Sequence, residues 1–438
     1  MLWRIVILCI ACLVPAMAQP PEMTEAVRQS IATVDDGGRT ARFYELHGLS
    51  LAWSGTPQAR ADSQTALDVL AQAADQGLDA NRYAVFRGGQ SIPDDVALSA
   101  AVLTYMQDLT AGRPDLEALD ADVGLPLRVF DAAFWLDDAL RHHRLAAMLS
   151  SLMPAHPEYV ALQHALGAVA DVATRDAIAA NMERWRWMPP QLESDRIMVN
   201  AADASLTLWL DGKPVLQSRV IVGKPATPTP ILRAEGAGVT VNPPWNVPHT
   251  IAAKELLPKL KRNRAYLASQ DMVLLNGPPG DPHGLTVNWR AIRPGTFPYQ
   301  VRQLPGARNA LGRVKLELPN RFDVYLHDTP SRALFARPQR ALSHGCVRVE
   351  QILPLASYTL AANGSALAEI LRRIGAGGTS YLPLQRKLPV YFLYWTAFMQ
   401  DGALVIGPDI YGRDQRLIAA MKTPMMRVAS AEPACMRG

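Results

Sequence analysis

The sequence predicts an α+β protein: a helical N-terminal domain, then a mainly β domain interrupted by a helical, loop-rich insertion. Three observations carry this. Apolar residues recur at helical spacing from Thr24 to about Asp176. After Asn181 the pattern changes to strand-like alternation. A basic stretch rich in proline, glycine and aromatics, Ile251 to about Gln303, then breaks that alternation. With 438 residues, 49% of them hydrophobic, the chain has material for more than one core.

The first element reads as an export leader. Arg4 precedes an apolar run from Ile5 to Val14, and Ala16-Met17-Ala18 supplies a small-residue cleavage site before Gln19. The run falls short of the roughly 20 apolar residues that span a bilayer. The expectation is residues 1–18 as signal peptide and a periplasmic mature protein, with an anchored form through the leader or a lipidated Cys12 as the alternative.

Residues 24–180 read as a helical domain. Leu67, Leu70, Ala71 and Ala74 share one face of a helix over Ala66–Leu78, which Gly77 is placed to terminate. Leu98–Leu109 repeats the pattern, and Ala133–Leu152 reads as one further amphipathic helix. His142 and His143 are adjacent and so point to different faces, which suits a solvated helix better than a metal site.

Residues 182–420 read as the β domain. Arg196–Gly223 alternates around Asp211-Gly212, a two-residue hairpin signal. VKLELP, FDVYLHD and VYFLYWTAF are further strand signals, and QILPLASYTLAA is a helix. The insertion 251–303 is placed to act as a lid. Trp185 and Trp187 read as core, and residues 421–438 as a disordered tail.

Charge divides with the domains. Residues 1–181 hold 12 basic and 22 acidic side chains, and residues 182–438 hold 32 and 18, net −10 and +14. A basic C-terminal half suits an anionic partner. Export and the lack of a recognisable motif exclude nucleic acid.

Chemistry concentrates in ALSHGCVRVE, residues 341–350. Cys9 and Cys12 leave with the leader, so the mature chain keeps Cys346 and the tail Cys435. An oxidising compartment tends to pair or consume thiols, so an unpaired Cys346 suggests use. If the segment is extended, His344 and Arg348 share the face of Cys346 and favour its thiolate. Gly345 admits close approach, the N–H groups of Gly345 and Cys346 are oxyanion-hole candidates, and the following helix adds its N-terminal dipole. His327, ending a strand, is one candidate base and His344 the other; Asp328 and Ser343 are candidates to orient an imidazole. The bland reading is a buried, inert thiol. A zinc site from His327, His344 and Cys346 lacks the usual ligand spacing, so no metal is expected. A papain-like protease would place its cysteine before its histidine.

HDTP followed by SHGCVR resembles the catalytic stretch of YkuD-type L,D-transpeptidases: His327, then Ser343, His344, Gly345, Cys346 and Arg348. NMERWRWMP, VIVGKPATPTP, NPPWNVP, GARNALGRVK and LYWTAF are similar to the YcbB-like subgroup, and FYELHGLSLAW and MQDLTAGRPDL resemble its helical scaffold domain. The resemblance spans nearly the whole mature chain. One departure is that only Pro154–Ala180 fills the place of that subgroup's small peptidoglycan-binding domain.

The resemblance implies a YkuD-type β-sandwich catalytic domain that forms 3→3 cross-links between peptidoglycan tetrapeptide stems. Cys346 would be the nucleophile, His327 the base and His344 a shaper of the site. Arg348 and nearby N–H groups, with Ser343 and Gly345, would take the substrate carboxylate or oxyanion, and Asn309 and Trp245 would line the pocket. No cofactor is implied, carbapenems are expected to acylate the thiol, and other cell-wall synthesis proteins are admissible partners. L,D-carboxypeptidase activity, D-amino-acid exchange and a silent wall-binding scaffold are the alternatives.

Overall fold

A computed structural model describes residues 21–84, 91–112, 120, 122–126, 128–360 and 366–422. The expected leader, and the expected tail with Cys435, therefore lie outside the described residues. The chain divides into two compact units, one of 1–110, 129–153 and 422–438, the other of 111–128 and 154–421. No described helix is long and apolar enough to cross a membrane.

The first unit is helical: α1 Pro21–Ile31, α2 Arg39–Leu46, α3 Pro57–Ala71, α4 Ile92–Ala111, α5 Ala132–Arg141 and α6 Leu145–Ser151. Phe43, Trp53, Leu103, Met106 and Leu136 belong to its core. The Asp95 carboxylate ties the pieces together, accepting from Tyr44 Oη at 2.6 Å and from the Ala52 and Trp53 amides. The helix expected over Ala66–Leu78 ends at Ala71, becomes a 3-10 turn over Ala73–Gln76, and stops at Gly77 with φ +67°. The single helix expected over Ala133–Leu152 is two helices. His143 adopts φ +52°, and Asp138 binds both His142 and Arg144 across the break.

The second unit opens with helices Pro157–Ala168 and Val172–Arg186, so the segment 154–180 packs with the β domain. Its strands are β1 Val123–Gly124, β2 Arg196–Asn200, β3 Ser205–Leu210, β4 Lys213–Gly223, β5 Ile231–Val241, β6 Trp245–Val247, β7 Met272–Leu274, β8 Val301–Gln303, β9 Val314–Glu317, β10 Leu326–His327, β11 Ala341–Ser343, β12 Val347–Val349, β13 Ser380–Leu393, β14 Ala397–Gln400 and β15 Ala403–Ile406. β3 and β4 form the expected two-residue hairpin, with Asp211 and Gly212 at φ +50° and +74°.

The main sheet runs β5-β13-β2-β3-β4-β12-β10-β9, and β9 also pairs with β5. The ring therefore closes, and the two faces expected of a sandwich are joined into a barrel. Val199, Leu206, Leu208, Val239, Leu316, Leu326 and Val347 fill its interior. The helix Val172–Arg186, buried over its C-terminal half, holds the chain's later segments: Asn181 bonds Thr396 in both directions, and Arg184 pairs with Asp414 of the helix Arg413–Met421 at 2.6 Å.

The insertion carries its own three-stranded sheet, β6-β8-β7, over a small core of Leu256, Leu257, Leu260, Trp289 and Phe297. Its helical arm includes a π turn, Ala252–Leu256.

Candidate active site

The stretch around Cys346 is not one strand. β11 runs parallel to the end of β4, and β12 returns antiparallel to β4 on its other edge. Residues 344–346 form the turn between them, made possible by Gly345 at φ +116°, where a side chain is strained. Thr229 Oγ1 donates to the Gly345 carbonyl at 2.8 Å and accepts from the Gly223 amide, pinning the turn to β4.

This turn corrects several expectations. Alternation breaks at Gly345, so His344 does not flank the thiol; its Nε2 meets Glu255 Oε1 of the insertion at 2.5 Å and Lys224 Nζ at 3.3 Å. Ser343 orients no imidazole. Its hydroxyl donates to the Cys346 carbonyl at 2.6 Å and accepts from the Gly345 amide at 3.2 Å, which occupies one of the two expected oxyanion donors. The Cys346 amide has no acceptor among the described residues. The next helix starts at Ile352, beyond β12, too far for its dipole to act strongly on the sulfur.

His327 does reach the cysteine's face. β10 and β12 are parallel with Leu326 beside Val347 and His327 beside Arg348. Paired residues of neighbouring strands point the same way, so Tyr325 and His327 share the outer face with Cys346 and Arg348. On the other edge His327 pairs with Lys315. The Tyr325 and His327 rings meet edge-on at 5.6 Å, and Lys315 Nζ lies 4.1 Å from the Tyr325 ring centre.

Electrostatics assigns protonation states. His327 Nδ1 lies 2.6 Å from the Asp328 carbonyl. A carbonyl only accepts, so Nδ1 carries the proton and Nε2 keeps its lone pair. The orienting group is thus the Asp328 backbone. The Asp328 carboxylate instead accepts from the Arg313 amide at 2.9 Å and braces the loop before β9. Burial first, then the Arg348 charge, pushes the His327 pKa down to about 3. Burial pushes the Cys346 thiol up, against the neighbouring Tyr325 and the Lys315 charge, and the Sγ–H donates to the Asp323 carbonyl at 3.6 Å. The resting pair is therefore neutral thiol and neutral imidazole. The half-buried Arg348 is held below the usual guanidinium range by burial, and its Nε is buried without a partner.

Asn309 and Trp245 are held by the loop before β9 and by the insertion, Asn309 bracing the Leu311 amide, whose residue bonds His327 through its backbone. Asn309 is buried and uses its amide on the Gln303 and Leu304 carbonyls and the Leu311 amide. Trp245 pairs with Gln303 and packs on the insertion's core. Sequence reading missed Tyr325, which period-two counting back from His327 would have found. It also missed Glu255, which no local pattern marks. No cluster of three or more metal-binding side chains occurs among the described residues.

Residues 194–374 match the model of the L,D-transpeptidase catalytic domain, YkuD. They form a YkuD-family catalytic domain. Residues 38–166 match a scaffold-domain model. A Haemophilus influenzae protein named "Putative L,D-transpeptidase" is 37% identical over 240 residues, 55% of this chain. The match spans about half, 48%, of that relative's length. A solved structure of the Ldtfm-avibactam carbamoyl enzyme shares 15% identity over 47% of this chain and 50% of its own, at a TM-score of 0.23, too low to carry an argument. In the YkuD-family domain of this chain, the thiol, the imidazole and the guanidinium all sit on the outer face of β10 and β12.

Proposed function

We propose that the protein is a periplasmic L,D-transpeptidase that makes 3→3 cross-links between peptidoglycan tetrapeptide stems. The observation that carries this is the β10–β12 register, which sets His327 and Tyr325 beside Arg348 and Cys346 in a YkuD-family domain. His327 Nε2 takes the Cys346 proton, and the thiolate attacks the carbonyl joining the third stem residue to terminal D-Ala. The Cys346 amide faces the developing oxyanion. The C–N bond breaks, His327 returns the proton to the departing D-Ala amine, and a thioester remains on Cys346. The side-chain amine of a second stem then attacks, passing its proton through His327 and restoring the thiol.

Arg348, with a buried Nε lacking an acceptor, suits a substrate carboxylate. The basic half of the chain fits stems that carry carboxylates. The contact from Glu255 to His344 ties the insertion to the thiol turn, as a lid requires. Incubating the protein with disaccharide-tetrapeptide and resolving products by mass tests the reading. A cross-linked dimer supports it. Tripeptide alone would mean that water is the acceptor, and exchange of added D-amino acids alone would mean that free amino acids are.

A further inference from the structure

A cavity of about 920 Å³ lies away from the thiol, with Cys346 not among its lining residues. It lies on the outer faces of β2, β3 and β4, closed on one side by Trp185, Trp395 and Phe398. Its volume falls within the range of small-molecule sites, roughly 300–1,000 Å³. Arg196 pairs with Trp209, Met198 with Thr207, and Thr207 with Gln217, so these side chains form one continuous outward floor.

Three features define what the groove takes. Its wall is aromatic: Trp185 and Trp395 stack at 4.4 Å, and Trp209, under the Arg196 guanidinium at 4.3 Å, and Phe398 remain half-exposed. Several of its charged side chains are engaged by the protein itself. Arg219 pairs with Glu350 at 2.6 Å, Arg340 bonds the carbonyls of Asp203 and Val220, and Glu158 accepts from the Met399 amide. Finally, the Trp185 Nε1–H is buried with no acceptor although the residue is only 5% exposed and lines the cavity. A buried donor left without an acceptor is costly, so this N–H suits a ligand acceptor at the cavity wall. Indole faces, neutral hydroxyl and amide groups and one orphan donor suit a neutral, hydroxyl- and amide-bearing ring system.

Position narrows the choice. Glu350 lies on the groove's rim, and Cys346 four residues earlier on the same chain segment, about 13 Å at the ~3.3 Å rise of a strand. An extended peptide of three residues spans about 10 Å. We propose that the groove seats the glycan strand of peptidoglycan, its alternating N-acylated amino sugars, while a stem hanging from it lies along β12 to present the carbonyl after its third residue to Cys346. This inference rests on the transpeptidase reading above.

The test uses the full mature chain and stem-free glycan in the form of neutral oligomers of β-1,4-linked N-acetylglucosamine, because amidase-stripped peptidoglycan glycan carries a free lactyl carboxylate on every second sugar. The wild type binds them by titration calorimetry. Trp209→Ala removes the half-exposed platform, and Thr207→Arg obstructs the floor while keeping it. Each weakens binding at least tenfold, about 1.4 kcal/mol. Each raises KM for glycan-attached stems by a similar factor with kcat unchanged, and alters turnover of isolated tetrapeptide less than twofold. Thr207→Arg decides the matter if Trp209→Ala does not fold. Absence of wild-type binding to stem-free glycan overturns the proposal, as does binding of isolated tetrapeptide in the groove or equal loss on attached and isolated stems. The wild type separates the two levels: glycan binding without any chemistry on stems sinks the transpeptidase reading and supports the groove, whereas turnover without glycan binding does the reverse.

Discussion

Tyr325→Phe tests how far the phenol beside Cys346 lowers the thiol pKa, at most by the strength of one hydrogen bond to a charged group. The phenol and the Tyr325 amide both lower the Cys346 pKa, while burial raises it. Phenylalanine keeps the ring beside Lys315 and His327, keeps the amide, and removes only the hydroxyl. A hydrogen bond to a charged group contributes about 1.5–3 kcal/mol, which at 1.36 kcal/mol per pKa unit moves the thiol up by roughly one to two units. The thiolate fraction at pH 7 then falls about 10- to 100-fold. A more basic thiolate is intrinsically more nucleophilic, with a Brønsted slope of about 0.4–0.5, which recovers roughly half of that loss on a logarithmic scale. The alkylation rate with iodoacetamide at pH 7 should therefore drop about four- to tenfold, and the midpoint of its pH profile should rise by one to two units. A profile that superimposes on the wild type, or moves down, would refute the assignment of the phenol to the sulfur.

Three further outcomes follow from the same structure. Because burial holds the folded His327 pKa near 3, below its ordinary value near 6.5, the unfolded chain binds the extra proton between those values. Stability is then fully present above about pH 6.5 and falls by up to ~1.4 kcal/mol per unit as pH drops towards 3; in urea unfolding His327→Gln should flatten that slope. Gly345→Ala meets no atom closer than the Pro228 carbonyl at 3.7 Å, so its cost, about 1–3 kcal/mol, comes from φ +116° alone, and it should abolish cross-linking while the protein still unfolds cooperatively. Glu183→Ala removes a carboxylate that meets Arg186 Nη1 at 2.7 Å in full burial, and thermal unfolding should show a loss of about 3–5 kcal/mol.

Local patterns revealed most of the elements, and the failures have physical causes. Alternation over Arg196–Gly223 was legible because β2, β3 and β4 each hide one face and are joined by tight turns. Barrel closure was not legible: β5 and β9 pair across the whole insertion, and no local signal marks a long-range edge. His327 and Cys346 were legible as types at a spacing. Their alignment was not, because Gly345 turns the chain and sends His344 to Glu255, leaving Arg348 and Tyr325 beside the thiol. His143 broke a helix whose apolar periodicity continues through it, since a left-handed residue leaves no mark in the pattern. The groove joins residues 158, 185, 207 and 398, so only the fold brings it together.

The most direct test of the central claim is intact-protein mass spectrometry after mixing the mature chain with disaccharide-tetrapeptide. The account predicts one covalent adduct, adding the mass of the donor less one D-Ala, cleaved by hydroxylamine as a thioester and mapped to Cys346; Cys346→Ala forms none and Cys346→Ser almost none. An adduct on Cys435, or cross-linking that survives in Cys346→Ala, would contradict it.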